Sequence, residues 1–259
     1  MPRAVAINVG ANTNVPGVRG PIYPDGTFEY VPIPEDEETS ESVSVPTYAD
    51  LALETELPER KDELPVHLDP EFAEYPECER YTYGDPHGVK ARPLLELTAG
   101  DYVFFYATLT THEDAEPEPE PERRESWITP EWGTYVIGQF RLADDPIDGA
   151  AFSELPEREQ AVFANNAHVK REEFDAAVML VGEDEESKLY ETAVPLSSPE
   201  QGSTANEVVT ELSSDSGKGP WWRRPMKFDS EATAAVLEVA GSDGSKNVRE
   251  VVERTRTDA

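Results

Sequence analysis

The chain has 259 residues, 54 of them Asp or Glu and 22 Lys or Arg, for a formal net charge of −32 and a pI near 4.3. Four Trp, ten Tyr and nine Phe set in apolar runs argue against an acidic disordered chain. The single cysteine, Cys78, excludes an internal disulfide and any Cys/His zinc spacing, and no run of about 18 apolar residues is present to cross a membrane as a helix.

Residues 4–9 alternate weakly and read as a first strand. Asn12 to Gly20 is a polar loop. Pro21-Ile22-Tyr23-Pro24 then meets Asp25-Gly26, a two-residue hairpin signal, with a return strand over 27–33. Glu35 to Ser44 is an acidic loop. Thr47, with Asp50 three positions on, predicts a capped short helix. Residues 65–90 are irregular and rich in Pro, His and Tyr, which reads as a functional loop or several short elements packed on the core. Gly100-Asp101 precedes the most apolar run of the chain, residues 102–109, which predicts a buried central strand. The low-complexity stretch 113–125, containing EPEPEPE, disfavours helix and central strand alike. Residues 134–142 predict the partner strand, with Gly138 marking a bulge or a close backbone approach. A helix is predicted over 156–165, strands over 176–181 and 188–194, a short helix over 205–212 and a helix over 230–239. That last helix is capped by Asp229 or Ser230 and closed by Gly241. The whole reads as one α+β domain over 1–241, a curved, mostly antiparallel sheet or partial β-barrel with flanking helices. Residues 242–259 read as a charged C-terminal helix or tail.

No Walker A, GxGxxG, HExxH or GxSxG string is present, which removes the common nucleotide hydrolases, Rossmann enzymes, zincins and serine hydrolases from first place. Of the four histidines, His67 opens His67-Leu68-Asp69-Pro70-Glu71, where an imidazole and a carboxylate two residues apart suit general acid/base work. A surface Asp-Pro turn is the plainer reading of the same string. His87 lies in a similar Asp-Pro turn. His168 follows Asn165-Asn166-Ala167, where a helix cap is the bland alternative. Trp221-Trp222-Arg223-Arg224 is an aromatic and basic cluster in an acidic chain, suited to stacking a base and meeting phosphate, or else a pair of core tryptophans with arginines on local carboxylates. Arg19, in the loop with Asn12 and Asn14, offers a guanidinium to an anion. Cys78, between Glu77 and Glu79, is a poor candidate nucleophile.

Taken in order, several strings resemble the nucleotide modification associated domain 3 family. They are Gly20-Pro21-Ile22-Tyr23-Pro24-Asp25-Gly26 with Val31-Pro32-Ile33-Pro34, then His67-Leu68-Asp69-Pro70-Glu71, Gly100-Asp101-Tyr102-Val103-Phe104-Phe105, Tyr135-Val136-Ile137-Gly138-Gln139-Phe140, and Asn165-Asn166-Ala167-His168. Glu71 stands where the family string has Asp, and EPEPEPE is this chain's own. The resemblance implies a nucleotide or nucleic acid partner, DNA or RNA, in base modification, without naming a reaction or a cofactor. A looser resemblance, to barrel modules that flip a modified base into an aromatic-lined pocket, bears on fold alone.

The acids are dispersed along the chain, and 15 Arg stand against 7 Lys. That pattern is expected of an acidic, haloarchaeal-type cytoplasmic protein, since at molar salt the Debye length falls to about 3 Å and the self-repulsion is screened. The first expectation for function is an enzyme or accessory factor in which His67 and Asp69 form an acid/base pair, Arg19 orients an anion, and Asn166 and His168 read polar edges. The second is a non-catalytic reader of modified nucleic acid using Trp221, Trp222 and Arg223, and the third an interaction protein docking through its acidic insertion. No metal ligand is expected.

Overall fold

The structure is a computed structural model that describes residues 1–112, 124–215, 224–242 and 248–258. Its strands are β1 (Ala4–Asn8), β2 (Pro21–Ile22), β3 (Thr82–Asp85), β4 (Tyr102–Thr111), β5 (Trp132–Arg141), β6 (Ile147–Asp148), β7 (Val178–Val181), β8 (Lys188–Pro195), β9 (Ser197–Ser198), β10 (Gln201–Ala205) and β11 (Met226–Phe228). Its α-helices are α1 (Gly88–Leu94), α2 (Glu157–Gln160), α3 (Ala167–Lys170), α4 (Ser230–Ala240) and α5 (Val248–Asp258).

The main sheet runs β11-β1-β4-β5-β8, with β2 also on β4, and β4 is its centre. Side chains alternate across a strand, so Val103, Phe105, Ala107 and Leu109 enter one core layer while Tyr102, Phe104 and Tyr106 enter another. With both faces covered, β4 reads as a continuous apolar run instead of an in-out alternation. One face packs against α4, against α5 through Val251 and Val252, and against the turn Val208–Leu212. The opposite face packs against residues 72–97 and a second, three-stranded sheet ordered β3-β7-β6. Among the described residues, which also hold a two-stranded sheet of β10 and β9, no sheet closes into a barrel, and most pairings are antiparallel. The exceptions are β1 and β2, each parallel to β4.

Gly138 explains a local irregularity. The β4–β5 register shifts where Phe105 faces Gly138 and Tyr106 faces Val136. A Cβ on Gly138 would lie 2.7 Å from Phe72 Cε1 and 2.8 Å from the Lys188 carbonyl oxygen. Absence of a side chain there lets Phe72 lie over the sheet, edge-on to Phe105 and Phe140. Phe72 thereby anchors the segment that carries His67 and Asp69.

The Asp25-Gly26 turn forms, with Gly26 at φ +89° and Asp25 Oδ1 accepting from the Thr27 amide. The return segment, however, is not a regular strand. Phe28 bridges Ile22, Thr27 bridges Thr192 on β8, and Pro32 and Pro34 withhold the donors that a longer ladder needs. The Thr47/Asp50 pair caps a single 3-10 turn over Tyr48–Leu51. The helix expected over 156–165 divides into α2 and a 3-10 turn at Ala161–Phe163. Asp229 caps α4 by accepting from the Ala232 amide. Most of the acidic insertion lies outside the described residues.

Candidate functional site

The site is assembled from four segments distant in sequence. Residues 33–35 run antiparallel to 65–67, with the Glu35 amide donating to the Pro65 carbonyl and the His67 amide to the Ile33 carbonyl. That pairing sets Glu35 beside His67. The chain then continues to Asp69 and Glu71, and Glu71 pairs through its backbone with Thr82 at the start of β3. The fourth segment is α3. Asn166 caps it, its Oδ1 accepting from the His168 amide at 3.0 Å, and the helix presents His168 towards Asp69. Residues 38–40 bind the end of α3 through backbone hydrogen bonds to Lys170 and Glu172.

The centre consists of His67, Asp69 and His168, all buried. His67 Nε2 lies 4.0 Å and His168 Nε2 3.6 Å from Asp69 Oδ2, and the two imidazole rings meet edge-to-face with centroids 4.9 Å apart. One ligand-type atom from each of the three residues lies within 4.8 Å of the others. Their outward-facing atoms are all held. His67 Nδ1 is 2.6 Å from Glu35 Oε2, and His168 Nδ1 is 2.7 Å from Asp175 Oδ1. Asp69 Oδ1 accepts from the Gly84 amide at 2.8 Å and from Asn166 Nδ2 at 2.7 Å. Arg171 ties the two supporting carboxylates together, at 2.8 Å to Glu35 Oε1 and 2.5 Å to Asp175 Oδ2.

The electrostatics follow from these contacts. Burial opposes the ionised form of Glu35, but hydrogen bonds from His67 and Arg171 outweigh it and hold the carboxyl down to about 2. Burial likewise opposes a charged His168, and Asp69 and Asp175 on its two nitrogens overcome that and raise it above the ordinary histidine value. Arg171 is raised despite burial by Glu35 and Asp175. The cluster meets solvent on the Asp175 side, where that side chain is 36% exposed.

Around this centre lies a second buried network. Glu71 accepts from Thr82 Oγ1 at 2.8 Å, from the Glu79 amide at 2.8 Å and from Asn165 Nδ2 at 2.6 Å. A buried carboxylate so saturated with donors acts as a structural clamp. It joins the His67–Glu71 segment to β3 and α3.

Of the residues expected from sequence, His67, Asp69, Asn166 and His168 come together. Asn166 is fully buried and its amide is committed to Asp69, Thr82 and the cap of α3. Arg19 forms none of the cluster's hydrogen bonds or ion pairs; its guanidinium lies 5.0 Å over the Trp132 ring, and burial lowers its pKa. Trp221, Trp222 and Arg223 lie outside the described residues. His87 precedes α1, exposed, and His112 packs on Tyr23. Glu35, Arg171 and Asp175 were not singled out from the sequence. Glu35 was one acid among many in a loop, and only its tertiary pairing with His67 distinguishes it. The sequence reading names no metal ligand, yet folding gathers two imidazoles and a carboxylate at one point.

A cavity of about 600 Å³ lies elsewhere, lined by Trp127, Ser197, Asn206 and Val239 among others. It contains none of the cluster residues. A recess of about 10 Å³ touches Glu35 and Lys170. The chemistry is concentrated in the smaller place, and the size of the larger is no argument for its being the site.

Fold and site together define an α+β protein with a buried histidine–carboxylate centre braced by a two-carboxylate, one-arginine frame. The chain belongs to the nucleotide modification associated domain 3 family, whose sequence profile matches residues 3–238. No curated protein and no solved structure matches it. Membership associates the chain with nucleotide modification. Among the described residues no helix is long and apolar enough to cross a membrane.

Proposed function

We propose that this protein is an enzyme of base modification, acting on a base or nucleotide, with the His67–Asp69–His168 cluster as its reaction centre. The observation that carries the reading is the orientation of the two imidazoles. Each Nδ1 is bound by a carboxylate, so in the neutral ring Nδ1 carries the hydrogen and Nε2 keeps its lone pair. Both Nε2 atoms then lie within 4.0 Å of Asp69 Oδ2, an arrangement that suits proton handling and is costly as mere filling of a core. Glu35 and Asp175 stabilise whatever positive charge develops on the rings. Phe174, exposed and stacked on Phe152 at 4.7 Å, stands one residue from Asp175 and offers an aromatic face to a base.

The test is incubation of the full-length protein in molar KCl with DNA and RNA, followed by mass spectrometry of the released nucleosides. The expected result is a changed nucleoside that disappears with His67→Ala and Asp69→Asn. Retained nucleic acid binding with no mass change would overturn the enzyme and favour a reader, which in this chain would draw on Trp221, Trp222 and Arg223.

A further inference from the structure

We infer that His67 Nε2, Asp69 Oδ2 and His168 Nε2 form a binding site for one divalent transition-metal ion. The inference rests on the proposed function only in its location, because metal binding is measured without turnover.

Four observations converge. First, the three atoms face one another while every other polar atom of the same side chains is engaged, two by carboxylates and one by an amide pair. A histidine whose second nitrogen is held by a carboxylate is the usual support for a metal ligand, since that partner fixes the tautomer and raises the ring's basicity. Second, the spacing is close to coordination geometry. Zinc–nitrogen and zinc–oxygen bonds of about 2.0–2.2 Å put adjacent ligands about 3.3 Å apart at tetrahedral angles. The separations of 3.6 and 4.0 Å to Asp69 Oδ2 exceed that by about 0.3 and 0.7 Å, and with one ligand-type atom of each residue within 4.8 Å of the others, the three side chains draw inward to seat an ion.

Third, the cluster carries more carboxylates than cationic side chains. Glu35, Asp69 and Asp175 bring three negative charges, and Arg171 brings one positive charge. A divalent ion would offset that excess in a largely buried place, where uncompensated charge is expensive. Fourth, the donor set has a chemical preference. Two imidazoles and one carboxylate, with no thiolate, suit zinc, iron, manganese or cobalt, and three protein ligands leave coordination positions open. Open positions are what a reaction centre needs, since a water held there becomes a far stronger acid than bulk water. With the ion seated, the two Nε2 lone pairs hold metal, and the proton handled at the centre is that of bound water.

The experiment strips full-length protein with a chelator, returns it to molar KCl and titrates it with Co²⁺ while following visible absorption, then competes with Zn²⁺. Molar salt suppresses weak association with the acidic surface. The expected result is one equivalent of tightly held ion. Affinity should fall at least 100-fold in Asp69→Asn and His168→Ala, and about 10- to 100-fold in Asp175→Asn, which removes only a supporting carboxylate. Circular dichroism checks each variant. If the two ligand variants unfold, the partly exposed Asp175→Asn decides alone. Absence of stoichiometric uptake by the wild type, or uptake undiminished in a folded variant, overturns the site. Uptake without any nucleoside change removes the enzyme reading and leaves the metal site standing; nucleoside change without stoichiometric uptake does the reverse.

Discussion

Arg171 is where the frame of the site is most sharply testable. Replacement by Met keeps much of the side-chain volume and removes the guanidinium that reaches Glu35 at 2.8 Å and Asp175 at 2.5 Å. Glu35 then keeps only the His67 ring and the Glu37 amide, and its side chain is 2% exposed. Removing one partner from a buried pair costs about 3–5 kcal/mol, because the remaining charge cannot recover its hydration. The ionisation of Glu35 gives an independent scale. A carboxyl brought from 4.5 to about 2 by its donors, net of burial, contributes about 3 kcal/mol at neutral pH. The first route predicts a loss of several kcal/mol, a fall in Tm on the order of 10 °C for a chain of this size, and the second, which includes the His67 and Glu37 donors that the variant keeps, caps the share that passes through Glu35.

The sign against pH is fixed by the same numbers. Glu35 is depressed in the folded protein, so its contribution is complete above pH 4.5 and is lost as the pH falls towards 2. In Arg171→Met the carboxyl takes up its proton at higher pH, and the acid limb of the stability curve moves upward. Urea unfolding in molar KCl, repeated from pH 7 to pH 3, measures both effects. The double variant Glu35→Gln with Arg171→Met should recover part of the loss, since it leaves no unpaired charge. A single-variant loss under about 1 kcal/mol, or an acid limb that does not move, refutes the claim that Arg171 neutralises a buried carboxylate.

Three further outcomes are expected. In Gly84→Ala the new methyl would stand 2.7 Å from His168 Cδ2 and 3.0 Å from Met179 Sδ, so the imidazole must shift. Co²⁺ affinity should fall while circular dichroism stays native, and unchanged affinity would show that His168 is not held where the site requires it. The Cys78 thiol is pushed up to about 12 by burial and by Glu71, so iodoacetamide at pH 8 should label it only after unfolding; rapid labelling of native protein would contradict the packing around it. With a net charge of −32, Tm should rise between 0.1 and about 2 M KCl as the Debye length shortens from about 10 Å to under 3 Å. A flat or falling Tm would show that surface repulsion does not limit stability.

What the sequence discloses about this fold tracks the range of the interactions involved. β4 is legible because the apolar run 102–109 carries its own signal, and Gly138 because a glycine within a strand pattern has few reasons to be there. The Thr47/Asp50 and Asp229 caps are local chemistry and appear where expected. Residues 27–33 fail for a non-local reason. Tyr30 and Val31 are buried as a strand's residues would be, but Ile33 is exposed, the prolines that make the segment extended also deny it a ladder, and the bridges to Ile22 and to Thr192 on β8 show its path.

The site divides along the same line. His67 and Asp69 share one string, and their coupling is guessable from two residues of separation. His168 is readable only as a cap neighbour, and its cap, Asn166, proves to be the bridge: Oδ1 starts α3 while Nδ2 holds Asp69. One amide therefore caps α3 and fixes Asp69, a bridging role distinct from the expected reading of polar edges. Glu35, Arg171 and Asp175 carry no such local mark. In a chain with 54 acids, a carboxylate becomes distinctive only by being buried, and burial here is decided by the pairing of 33–35 with 65–67. The acidity that screens well in salt thus also conceals the few acids that hold the centre, and a neutral-surfaced relative would have shown them more plainly.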